Sequence, residues 1–301
     1  MTNLRVCLVG FGEVGQTLAE DLARAGVTDI VAWDVKLVDP RSLPSLALEN
    51  SPVRPAADAA SAAREAQLVI SAVTAAQNES AARAVAPGLS PNAFFLDLNS
   101  VSPAVKQAVA RSIGATSARY IEGAVMSPIG PKRVASPILL GGPHADDFLP
   151  LAQTLGFTGT RVFAPEIGRA SAAKMCRSVM IKGIEALLTE SLLAARHYGV
   201  EETLLASLED LFPGTDVRKL ARYMISRTLI HGVRRAEEMR EVARTIADTG
   251  LTPYMSAACA ERQDWAAQFR PAADAEHLTA MLDAMLAEIS ADPPLTATAN
   301  C

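Results

Sequence analysis

Apolar positions along the chain fall into two rhythms. Through the first half, short apolar runs alternate with Ala-rich stretches of helical spacing. Residues 4–9 form an apolar run that ends at a glycine cluster, and residues 16–24 carry Leu18 and Leu22 four apart. Residues 29–33, 68–73, 94–98 and 120–124 read as further strands, and residues 56–66 and 103–112 as helices. This alternation predicts an α/β fold, a doubly wound parallel sheet covered by helices on both faces. The rhythm changes near Gly168. Residues 171–198 run as one helical stretch without an internal proline, and only helical periodicity follows, broken at Pro213, at 250–253 and at Pro271. The expected organisation is therefore an α/β domain over 1–166 and an all-helical domain over 167–301. Residues 291–301, with two prolines and several small polar side chains, read as a frayed tail.

Composition narrows the possibilities. A chain of 301 residues, half of them hydrophobic, can bury two ordinary cores. The formal net charge is −5 with no basic stripe, which argues against a nucleic-acid partner. The longest apolar runs, 68–73 and 137–140, fall far short of the ~20 residues that span a bilayer. The first residues run straight into a strand, so no leader is expected. Cys7, Cys176, Cys259 and Cys301 are far apart and have no metal-ligand spacing. They read as reduced thiols of a cytoplasmic protein without a metal.

The run Gly10-Phe11-Gly12-Glu13-Val14-Gly15 matches G-x-G-x-x-G. It follows a strand and opens a helix, the context in which this motif holds a dinucleotide. The first glycine permits a tight turn, the second lets backbone approach a pyrophosphate, and the third lets the helix pack close to the strand. The helix N-terminus then offers N–H groups and partial positive charge to the phosphates. Asp34 ends the second strand, 34 − 15 = 19 residues after the last glycine, where a carboxylate accepts from the adenosine ribose. It also repels a 2′-phosphate. The expected cofactor is therefore NAD, with NADP left open because Lys36 lies two residues on. Val73, closing the run 68–73, joins the cofactor set.

Four landmarks in order carry a resemblance. They are the glycine loop; residues 97–103, reading Asp-Leu-Asn-Ser-Val-Ser-Pro; residues 122–130 followed by Leu139-Leu140-Gly141-Gly142; and residues 168–174 opening the long helix. The chain resembles the 3-hydroxyacid dehydrogenase and 6-phosphogluconate dehydrogenase superfamily, in a less characterised branch. The resemblance implies a Rossmann domain followed by a helical substrate domain. It implies hydride transfer between a nicotinamide and a small hydroxy substrate, and a homodimer joined through the C-terminal helices. It places Asn99 and Ser100 beside the nicotinamide, although both residue types also cap strands and turns. It makes Lys174 the general acid/base on the interdomain helix. A lysine in a partly dry cleft releases its proton more readily than in water, which suits that role.

The substrate shell departs from the family pattern. Met126 stands where a serine is usual, with Ser127 following, and Arg177 and Ser178 stand where two asparagines are usual. Glu237 and Glu238 replace a lysine–aspartate pair. Lys174, Arg177, Ser178, Ile181, Lys182 and Glu185 form a mostly polar stripe on one helix face. Arg227, His231, Arg234, Arg235 and Glu238 form another. The candidate substrate residues are Ser127, Arg177, Ser178, His231 and Glu238, and the cations point to an anionic substrate. A surface pair between Arg234 and Glu238, or a subunit interface, would account for the second stripe equally. Two rival activities remain open: imine reduction on the same scaffold, and dinucleotide sensing without catalysis.

Overall fold

A computed structural model describes residues 4–49, 51–209 and 213–291. Of the expected tail over 291–301, all beyond residue 291, including Cys301, lies outside the described residues. The chain divides into two compact units between Cys176 and Arg177.

In the first unit, β1 (Arg5–Val9) leads through the glycine loop into α1 (Glu13–Arg24), then β2 (Asp29–Trp33), α2 (Leu43–Leu48), β3 (Arg54–Pro55), α3 (Ala59–Ala63) and β4 (Leu68–Ser71). There follow α4 (Asn78–Val85), β5 (Phe94–Asp97), α5 (Pro103–Gly114), β6 (Arg119–Val125), α6 (Ile129–Lys132), β7 (Ile138–Gly141), α7 (Ala145–Thr154) and β8 (Thr160–Ala164). The sheet order is β3-β2-β1-β4-β5-β6-β7-β8. After β3 the chain crosses to the far side of β1, so the strand order reverses between β1 and β4. At such a switch point the connections leaving the carboxyl ends diverge and open a crevice.

Successive strand residues face opposite sides of a sheet, and both sides here are covered. Leu68 and Ile70 join Leu18, Leu22, Phe148 and Phe157 on one side. Val69 joins Cys7, Phe95, Val109 and Ile113 on the other. That is why the strand segments read as continuous apolar runs instead of alternating ones. Each fully buried Leu or Phe contributes ~1.5–3 kcal/mol.

Three details differ from the expectation. One strand pair, β6 with β7, is antiparallel, so the sheet is mostly and not wholly parallel. The run 68–73 leaves the strand after Ser71, as the Ala72 and Val73 amides turn to Val9 O and Asn99 Oδ1. Edge strand β8 is half exposed, with Arg161 and Phe163 facing out, and so lacks the apolar run that marked the inner strands.

The second unit comprises most of α8 (Arg169–His197), then α9 (Glu201–Glu209), α10 (Val217–Ala247), α11 (Tyr254–Ala266) and α12 (Leu278–Ala291). Leu192, Leu205, Ile225, Leu229, Phe269, Met281 and Met285 form its core. Helices α10 and α11 cross closely at Gly232, where a Cβ would stand 2.3 Å from Gln263 O. The division at Cys176/Arg177 falls ten residues beyond the expected boundary. The first turns of α8 belong to the α/β unit because Ala170 packs on Ala124 and Leu139, and Ser171 Oγ donates to Val101 O.

Candidate active site at the carboxyl edge of the sheet

The glycine loop has a division of labour that can be read atom by atom. Gly10 has φ +95°, and a Cβ there would lie 2.4 Å from Ala72 O. A Cβ on Gly15 would lie 2.2 Å from Gly10 O. Both glycines are thus required by the fold. Gly12 is different: it is exposed, and a Cβ would meet nothing within 4 Å. Space kept open at the start of α1, a helix of 12 residues, fits the approach of a pyrophosphate to backbone N–H groups. Glu13 is exposed on the first turn, and Val14 packs against the core. Phe11 is buried, so of that residue only the backbone faces the loop.

Asp34 ties this loop to the end of β2. Its Oδ2 accepts from Phe11 N–H at 2.8 Å and its Oδ1 from Lys36 N–H at 2.9 Å. Each carboxylate oxygen keeps a second acceptor direction, enough for a ribose diol.

The ends of β4 and β5 are joined by Asn99. Its Nδ2 donates to Ser71 Oγ at 2.9 Å and Asp97 Oδ1 at 2.8 Å, while its Oδ1 accepts from Val73 N–H at 2.6 Å. The amide is spent on this clamp and is buried, so Asn99 shapes the edge of the crevice. The next residue, Ser100, is half-buried, and Lys174 Nζ donates to its Oγ at 2.6 Å. Two residues 74 apart in sequence are thereby brought together, an ammonium and a hydroxyl at the mouth of strands β4 and β5.

Beneath this pair lies a charged network that sequence reasoning missed. Asp97 is fully buried, and Lys106, also buried, donates to its Oδ1 and to its carbonyl, each at 2.9 Å. Tyr120 O–H donates to Asp97 Oδ2 at 2.9 Å, and Asn78 Nδ2 lies 3.2 Å from both oxygens. Burial, then the Asp97 carboxylate, holds the Tyr120 phenol well above its usual range. Glu122, equally buried, accepts from Gly168 N–H at 2.7 Å and Ser171 N–H at 2.6 Å. Burial pushes its carboxyl up, opposed by Lys106 and these two amides. The one trace of it in the sequence was Lys106 itself, a lysine on the helix face of Val109, Ala110 and Ile113.

The remaining candidates are spread more widely. Ser127 follows β6 and its hydroxyl donates to its neighbour Pro128 O at 3.3 Å. The segment after it is pinned by Arg133, which takes φ +52° while its Nε donates to Asp21 at 2.8 Å. Arg177 is exposed and Ser178 buried, both on α8 within the helical unit. The polar stripe beyond them is an interior ion network. Lys182 pairs with Glu238, Arg235 with Glu185, and Arg234 with Glu238 at 2.6 Å. Glu238, expected at the substrate, is therefore held between two cations of its own unit. His231 is pushed down to about 4 by burial and by Arg227, Arg234, Arg235 and Arg270. At that value it carries no charge near pH 7. Among the described residues no cluster of His, Cys, Asp or Glu could hold a metal, and no helix is long and apolar enough to cross a membrane.

Comparison with known proteins agrees with a dinucleotide-binding fold. The profile of the NAD binding domain of 6-phosphogluconate dehydrogenase matches residues 5–164. A profile described as a domain of unknown function matches residues 195–266. A conserved hypothetical protein from Sinorhizobium meliloti 1021 is 35% identical, with a TM-score of 0.69 over 94% of this chain and 95% of that one. A conserved protein of unknown function, solved and found similar in structure to 3-hydroxyacid dehydrogenases, is 32% identical, with a TM-score of 0.65 over 87% and 98%. Mitochondrial 3-hydroxyisobutyrate dehydrogenase of Homo sapiens is 22% identical over 210 residues, 69% of this chain and 62% of that protein.

Proposed function

This chain belongs to the family of the NAD binding domain of 6-phosphogluconate dehydrogenase, and from that premise we propose that it oxidises a small hydroxy acid, or reduces the matching carbonyl, with Lys174 as general acid/base. The observation that carries the reading is the 2.6 Å hydrogen bond from Lys174 Nζ to Ser100 Oγ at the carboxyl edge of the sheet. Gly12, the start of α1 and Asp34 are the residues that fit the dinucleotide, and Asp34 favours NAD(H). A bound nicotinamide supplies or accepts the hydride.

The chain's own task is the proton. As a neutral amine, Lys174 takes the proton of the substrate hydroxyl while the C–H bond gives up its electron pair as hydride. In reduction the ammonium returns the proton to the carbonyl oxygen. Ser100 Oγ fixes where Nζ stands, so the amine meets the substrate oxygen without searching. Arg177, exposed on α8 three residues beyond Lys174, supports an anionic substrate.

Turnover of the Lys174→Met variant tests the proposal. Its kcat should fall by ~100-fold or more, with NADH affinity by fluorescence within about twofold. The assay panel pairs hydroxy acids with cyclic imines. A protein that binds NADH and turns over neither is a sensor, and one that reduces imines alone removes the alcohol reading.

A further inference from the structure

Asp97 and Glu122 are register partners on adjacent parallel strands, β5 and β6. Register partners point to the same face, so two buried carboxylates stand side by side in the core shared with Phe95 and Tyr120. Like charges in that position repel, and a buried charge without compensation is costly. The fold meets this with Lys106, whose ammonium bonds Asp97 and lies close enough to favour the charged form of Glu122.

Each carboxylate holds one half of the Lys174–Ser100 pair. Asp97 accepts from Asn99 N–H at 3.0 Å and from its side-chain amide at 2.8 Å, which sets the turn from which Ser100 emerges. Glu122 accepts the amides of Gly168 and Ser171, which sets the entry of α8 one turn before Lys174. The two halves are strapped together where Ser171 Oγ donates to Val101 O at 2.9 Å. The fit around Glu122 is close: a Cβ on Gly141 would lie 2.6 Å from its Oε2, and Gly168 takes φ +103° to present its N–H.

We propose that Lys106 and Glu122 are positioning residues for the proton-transfer pair: Lys106 lets two like-charged carboxylates share one face, and through them fixes Ser100 and Lys174 relative to each other. This rests on the acid/base role of Lys174 proposed above. Neither residue touches the substrate in this scheme. A small displacement of Nζ is enough to matter, since misplacement by ~1 Å can cost ~100-fold in rate.

The test uses full-length Glu122→Gln, Lys106→Met, Lys106→Arg and Tyr120→Phe, with Lys174→Met in parallel. Three quantities are read: kcat, NADH affinity, and hydrogen exchange at the Gly168 and Ser171 amides in protein without cofactor. Glu122→Gln should lower kcat by ~10-fold or more, keep NADH affinity within about twofold, and speed exchange at one or both amides by ~10-fold. Lys106→Met should follow it in kcat, while Lys106→Arg, which keeps the charge, recovers most of the loss. Tyr120→Phe removes one O–H and keeps the ring, and should lower kcat about threefold. It carries the test if the charge variants do not fold. Wild-type kcat and exchange in folded Glu122→Gln, or wild-type kcat in Tyr120→Phe, would overturn the proposal. So would a loss of kcat matched by the loss of folded protein, the mark of a purely structural role. If Lys174→Met keeps its turnover, the acid/base reading falls by itself, and the exchange rates still decide whether Glu122 fixes the helix entry.

Discussion

Both units of this protein bury charge, and they do it differently. In the α/β unit the buried carboxylates Asp97 and Glu122 reach the end of a strand and the start of a helix, where backbone N–H groups lack partners of their own. Glu122 is satisfied by two such amides, and Asp97 by the Asn99 amide together with the side chains of Asn99, Asn78, Tyr120 and Lys106. In the helical unit, charge lies along the middles of α8 and α10, where every amide is committed to its own helix. There Lys182, Glu185, Arg235 and Glu238 are satisfied by side chains, with Arg234 also on Glu238 and Gln263 Nε2 reaching Glu185 at 3.3 Å. Charge on backbone ends places a loop or a helix start; charge on helix middles interlocks one helix with the next. The first arrangement builds a site, and the second specifies a packing.

The largest effect should come from breaking the interlock. Arg235→Met leaves Glu185 buried without its guanidinium, a loss of ~3–5 kcal/mol, visible as a lower urea midpoint. Adding Glu185→Leu should recover more than half of it. The matching double change in the other unit, Lys106→Met with Asp97→Asn, should recover little, because Glu122 remains. Equal recovery in both units would erase the distinction.

Next come the glycines, where the site and the fold can be separated within one loop. Gly15→Ala forces a Cβ against Gly10 O and should cost ~1–3 kcal/mol. Gly12→Ala enters open space, so its melting temperature should stay near wild type while NADH affinity falls by ~10-fold or more. A Gly12→Ala protein that binds NADH normally would mean that the open space serves something else.

The smallest effect concerns His231. Its folded value of about 4 lies below the ordinary 6.5, so between these values the unfolded chain binds more protons. The sign follows: stability is fully present above ~6.5 and is lost as pH falls from there towards 4. With a side chain only half-buried, solvent screening reduces the loss to roughly 1 kcal/mol. His231→Gln should flatten the urea midpoint across this window. A wild-type midpoint already flat there would show that His231 charges freely.

How far the sequence carried the reader depended on the kind of signal. The inner strands β1, β2, β4 and β5 were legible because burial on both faces makes them continuous apolar runs. Strand β3, two residues long, gave no such run, and the apolar run 137–140 was not read as the strand β7 that it forms. The glycine loop was legible because its steric demands are local. Lys174 came through the resemblance, and the structure adds its partner Ser100. The Lys106 network was illegible, since Asp97, Lys106, Tyr120 and Glu122 share no spacing and meet only across two strands and a helix. The polar stripes on α8 and α10 were seen, but periodicity alone could not tell a wet face from a buried one. That is why Glu238 was read as a substrate residue when its carboxylate is engaged with Lys182 and Arg234.

The Glu122 cap on α8 also bears on where this chain can be cut or recombined. A crossover at residue 166 looks natural, since it falls in a loop between a strand and a helix. Yet it would carry Glu122 away from both the Gly168 and Ser171 amides, and leave two sealed anions facing one ammonium in the donated half. A junction past Cys176 keeps the carboxylate and its amides in one inherited piece. The indivisible module here is the sheet together with the first turns of the helix that leaves it.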